Sequence, residues 1–78
     1  MIKVGQIYKE KRLPSWRKNN ADTFVICNAE YTISVVYKDG KTDYVGWEWI
    51  KEDCELIAEY PTWQEAVNSK ELKEDETK

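Results

Sequence analysis

The 78-residue chain has no histidine. That removes the commonest general base, the usual zinc ligand and every Ser-His or Cys-His nucleophile arrangement. Cysteine is scarce: Cys27 and Cys54 stand twenty-six residues apart, with no C-x-x-C spacing to build a zinc site. No stretch approaches the roughly 18 apolar residues of a membrane-crossing helix. Residues 1–5, MIKVG, lack the apolar run of a secretory leader. The expectation is a cytoplasmic, reducing location with both thiols free and buried. Neither G-x-x-x-x-G-K-[ST] nor G-x-G-x-x-G occurs. Acidic residues come in runs, as in Glu52-Asp53-Cys54-Glu55; a run is a solvated face before it is a catalytic pair across a cleft. The serines have no base to activate them, and acids beside Cys54 raise a thiol pKa rather than lower it. The residues therefore point to a protein without catalytic function, cofactor or metal.

Aromatic side chains are what the chain has in excess. Four tryptophans, five tyrosines and one phenylalanine make 13% of it. A single domain of this size buries only about 60% of its unfolded surface, and rings that each bury ~150–250 Å² fill a small core economically. Core packing is thus the first reading for Phe24, Tyr31, Tyr37, Trp47 and Trp63. A second reading groups Tyr37, Tyr44, Trp47 and Trp49 as an aromatic cage for a methylated lysine or arginine, since cation–π attraction favours such enclosures.

Charge is uneven. Residues 1–20 hold six basic groups against one acid, a sum of +5; residues 21–78 hold six against fourteen, a sum of −8. The basic groups concentrate in a long loop, residues 9–22, that contains a proline and an Asn-Asn pair. Within it, Lys11, Arg12, Trp16, Arg17 and Lys18 set one ring among cations, the composition of a single-stranded nucleic-acid site. The plainer reading of Trp16 is a lid on one end of the core. The acidic remainder suggests a third possibility, a mimic of nucleic acid that blocks a nucleic-acid enzyme.

Hydropathy periods place the elements. Residues 4–8 and 23–27 read as strands, with residues 28–30 turning the second. Residues 31–38 alternate, with Tyr31, Ile33, Val35 and Tyr37 on one face. Asp39-Gly40 signals a type I′ hairpin turn, returning through residues 42–47, where Gly46 marks a bend. A helical turn is expected over residues 48–53. A fifth strand follows, residues 54–60, with Cys54, Leu56, Ala58 and Tyr60 on one face. Thr62 and Glu65 form a capping box for a helix over 63–71. Residues 73–78 have no apolar group and read as a disordered tail. Residues 1–72 thus make one mainly β domain: a five-stranded curled antiparallel sheet closing as an SH3-like small barrel with one C-terminal helix. An open sheet with the helix across it is the rival.

The segments "VGQIYKEK", "VVYKDG" before "WEWI", and above all "DCELIAEYPTWQEAVNSKEL" resemble small uncharacterised proteins encoded by phages and prophages of Gram-positive bacteria. The resemblance is strongest over residues 53–72. It implies an accessory phage protein in the host cytoplasm and transfers no functional residue. The function expected is a non-enzymatic interaction module with a protein partner, nucleic acid being the alternative.

Overall fold

The fold is seen in a computed structural model that describes residues 2–11 and 23–73. Five strands, β1 (Gln6–Glu10), β2 (Thr23–Ala29), β3 (Ile33–Tyr37), β4 (Thr42–Val45) and β5 (Cys54–Glu59), form one antiparallel sheet in the order β4-β3-β2-β1-β5. Among the described residues three short helices accompany it: α1 (Trp47–Asp53), α2 (Trp63–Val67) and α3 (Lys70–Lys73).

β1 and β2 lie inside the sheet and are buried on both faces, Lys9 and the end of β2 excepted. That is why "TFVI" reads as a continuous run rather than an alternation. Tyr8, Phe24, Ile26 and Val35 share one face with Ile50 of α1 and Cys54; Ile2, Ile33, Tyr37, Val45 and Trp49 pack around them. Ile7 and Val25 point the other way, against Ala66 of α2 and Leu72 of α3, with Tyr60, Trp63 and Val67 alongside. The molecule is a sheet between two helical layers. Phe24, Ile7, Ile26, Ile50, Val25 and Val35 are fully enclosed, and burial of each such side chain is worth ~1.5–3 kcal/mol.

The sheet is not closed. β4 and β5 occupy opposite ends of the strand order, and α1 spans the chain between them with Ile50 seated in the core. The SH3-like barrel closure expected from the strand count is therefore absent from the described residues. The single helix expected over 63–71 is two helices. Thr62 caps the first, its hydroxyl accepting from the Glu65 N–H at 3.2 Å. Asn68 and Ser69 interrupt it: the Asn68 amide donates to the Gln64 carbonyl, and the Ser69 hydroxyl to the Ala66 carbonyl at 2.6 Å. Side chains of this kind compete with the helical ladder.

Four local readings change as well. The first strand begins at Gln6, because Gly5 turns the chain with φ +97°. The β3–β4 hairpin forms where Asp39-Gly40 predicted it, but not as type I′. No described non-glycine residue has positive φ, so within this turn Gly40 alone does, at +91°. The loop is three residues, closed by Gly40 N–H to the Tyr37 carbonyl and Tyr37 N–H to the Lys41 carbonyl, the pattern of a turn followed by a glycine bulge. Tyr31 is not on the core face: it precedes β3 and is 97% exposed. Finally, the β1–β5 register shifts between Ile7↔Ala58 and Tyr8↔Leu56. The extra residue, Ile57, puts Ala58 on the opposite face from Cys54 and Leu56.

Candidate functional site

An open groove of about 470 Å³ lies on the α1 face of the sheet, lined by Ile2, Tyr8, Ala29, Glu30, Tyr31, Ile33, Trp47 and Lys51. Its base is apolar, because Ile2, Ala29 and Ile33 belong to the margin of the Phe24 cluster. The β2–β3 connection supplies Glu30 and Tyr31. Asn28 fixes that connection, its side-chain oxygen accepting from the Glu30 N–H at 3.2 Å. Register matters here too: a bulge at Cys27 in the β2–β3 ladder returns Ala29 to the Phe24 face.

α1 supplies the remaining lining. It starts at Gly46, whose extended backbone (φ −88°) caps it without a side-chain hydrogen bond. Ile50 is wholly buried and anchors the helix to the core. Trp47 and Lys51, one turn apart, then share a face. The Lys51 Nζ stands 4.7 Å from the centroid of the Trp47 ring. Trp47 is 53% exposed.

Tyr8 lies at the base with its hydroxyl committed. It donates to Gln6 Oε1 at 3.0 Å, while the Gln6 amide donates to Glu59 at 3.1 Å. Burial, and then the charges of Glu59 and Cys54, push the Tyr8 phenol above its ordinary value. It stays protonated and structural. The two cysteines form no disulfide and do not line the groove: Cys54 is buried, and Cys27, half-buried, donates to the Ser34 carbonyl at 3.4 Å. Burial raises the Cys27 thiol pKa. Among the described residues, no group of three or more Cys, Asp or Glu side chains is placed to hold a metal ion, and no helix is long and apolar enough to cross a membrane.

The four rings grouped as a cage from sequence do not converge. Tyr37 meets Phe24 edge-on at 5.7 Å, and Trp49 stacks on the same ring at 5.5 Å. Tyr8 joins them at 6.1 Å, so these rings are core. Tyr44 opposes Ser34 in the β3–β4 ladder and so lies on the other face from Tyr37, 74% exposed. Only Trp47 of the four lines the groove. Lys11 is exposed at the end of β1, its N–H bonded to the Asp53 carbonyl, beside a small cleft where Lys9, Glu10 and Glu55 mix both charge signs. Arg12, Trp16, Arg17 and Lys18 lie outside the described residues.

No family model matches the chain, and neither a curated protein nor a solved structure is similar to it.

Proposed function

We propose that the domain is a non-enzymatic interaction module that docks a segment of a protein partner in the groove between α1 and the β2–β3 connection. The observation that carries this reading is the groove's lining. Exposed Tyr31 and half-exposed Trp47 flank an apolar base, and aromatic anchors around a desolvated centre are what protein interfaces concentrate. The groove is built on a helix anchored by Ile50 and a strand end fixed by a bulge, so its shape exists before any partner arrives, which limits the ordering cost of binding. The strand order, the long β1–β2 connection and the helical turn before β5 support an SH3-like arrangement. The resemblance of residues 53–72 to phage and prophage proteins adds the setting: an accessory protein in the cytoplasm of a bacterial host. The +5 charge of residues 1–20 supports a second reading, association with nucleic acid through the basic loop, which steep weakening of binding by salt would reveal.

The test is peptide selection against the immobilised domain, with Tyr31→Ala and Trp47→Ala domains as counter-selections. Peptides should be enriched on the wild type and lost on both variants, while denaturation midpoints of Tyr31→Ala stay within about 0.5 kcal/mol of wild type because that ring is exposed. Enrichment indifferent to both variants, or no enrichment, overturns the assignment of the groove.

A further inference from the structure

The groove carries a preference of charge. Three rings, Tyr8, Tyr31 and Trp47, line it together with one carboxylate, Glu30. One ring already holds a cation: the Lys51 ammonium, 4.7 Å from the Trp47 centroid. An indole face attracts positive charge through its quadrupole, and here that attraction is occupied by a lysine of the same helix, one turn away. The described residues, 2–11 and 23–73, carry eight basic and eleven acidic side chains, a sum of −3, so the net charge of this part of the chain favours the approach of a cation over that of an anion. Lys51 itself is exposed and on a flexible stem, and can leave the ring for solvent at small cost.

We infer that the groove accepts a cationic side chain, the guanidinium or ammonium of an arginine or lysine in a basic segment of the partner. The rings of Trp47 and Tyr31 offer the faces, Glu30 the counter-charge, and Ile2 and Ile33 an apolar bed for the methylene stem. Lys51 is the internal occupant that the incoming cation displaces. This inference rests on the groove being the docking site and adds the class of partner. An acidic segment would find one ammonium at the rim but would have to pass Glu30 and approach a domain of net negative charge.

The experiment titrates the full chain with a short peptide centred on arginine, its citrulline counterpart, which keeps the shape and loses the charge, and its glutamate counterpart. The readouts are the Trp47 indole and Tyr31 ring resonances, assigned from Trp47→Phe and Tyr31→Phe spectra. The arginine peptide should move both signals and bind more tightly than the other two. Glu30→Gln should weaken it roughly two- to five-fold. Lys51→Met, which keeps the stem and removes the competing charge, should tighten it roughly two- to five-fold. Both substituted residues are exposed, and otherwise unchanged spectra establish that the variants are folded. Citrulline or glutamate peptides binding as well as arginine would overturn the cationic class while leaving the docking site in place. No peptide moving either signal would overturn both.

Discussion

Gly5 is the residue on which the start of the sheet depends. Its φ of +97° is a region L side chains rarely adopt, and a Cβ there would run into the Tyr60 carbonyl oxygen. The backbone is also tied on both sides: the Gly5 N–H donates to the Ile26 carbonyl at 2.9 Å and its carbonyl accepts from the Tyr60 N–H at 3.0 Å. Gly5→Ala should therefore destabilise the domain by at least ~1–3 kcal/mol, read as a fall in the urea midpoint at unchanged slope. An unaltered midpoint would mean that the β1 start is free to rearrange. The sequence shows a glycine between Val4 and Gln6 but not the strand end it must approach, because Tyr60 is brought there only by the β1–β5 ladder. The same limit explains Tyr31. Its place in an alternating run suggested a core ring, yet the turn after Ala29 continues past it, and nothing local distinguishes it from Ile33.

At the scale of elements, local chemistry was readable, and so was the shared face of Ile33, Val35 and Tyr37, but facing beyond a bulge was not. The Asp39-Gly40 hairpin, the Thr62 cap and the helical turn before β5 each follow from a few neighbouring residues. The bulges at Cys27 and Ile57 carry no such mark, since each is fixed by the register of two ladders at once. Missing the second misplaced Ala58 and Tyr60. Missing the groove followed from the same cause: its lining comes from the N-terminal segment, β1, β2, β3, α1 and a turn. α3 offers a test at this scale. The Tyr60 hydroxyl donates to the Glu71 carboxylate. That hydrogen bond raises the Tyr60 phenol pKa above 10.0 and, with the Glu71 backbone N–H, lowers the Glu71 carboxyl below 4.5. The signs give two limbs. Glu71's contribution is present above its unfolded pKa of 4.5 and is lost as pH falls through the lower folded value. Tyr60's is complete below 10.0 and is lost as pH rises through the higher folded value. Tyr60→Phe should thus lower stability most between these limbs, and its difference from wild type should narrow in acid and in strong base. Denaturation midpoints across pH decide it; a difference constant at every pH would assign the effect to packing alone.

For the molecule as a whole, one sheet with both faces covered implies one cooperative unit. Ile50 belongs to the Phe24 face and Ala66 to the Ile7 face, yet β1 and β2 are shared between them. Ile50→Ala should cost ~2–5 kcal/mol and lower the unfolding midpoint of both sides together. Trp49 reports on one layer and Trp63 on the other, so coincident changes at their indole signals along a denaturant series are the expected result. Trp63 holding its native signal after Trp49 has lost it would divide the fold into two units.

The strand order has a further consequence during synthesis. Of the strands of this sheet β1 is made first, and β5, which covers its outer edge through Gln6↔Glu59 to Glu10↔Cys54, is made after the other four. At ~5–20 residues per second of translation, the ribosome takes roughly two to ten seconds to pass from Glu10 to Glu59. Towards the end of that interval β2, β3 and β4 have been made and can pair as a meander of local hairpins, while the backbone donors and acceptors along the outer side of β1 still have no strand beside them. An unpaired edge is a template for another chain. The nascent protein is at its most adhesive just before the residues around Cys54 emerge, and the lysine at position 9, the exposed residue of β1, then stands as the charge that discourages a neighbouring chain from taking the place reserved for β5.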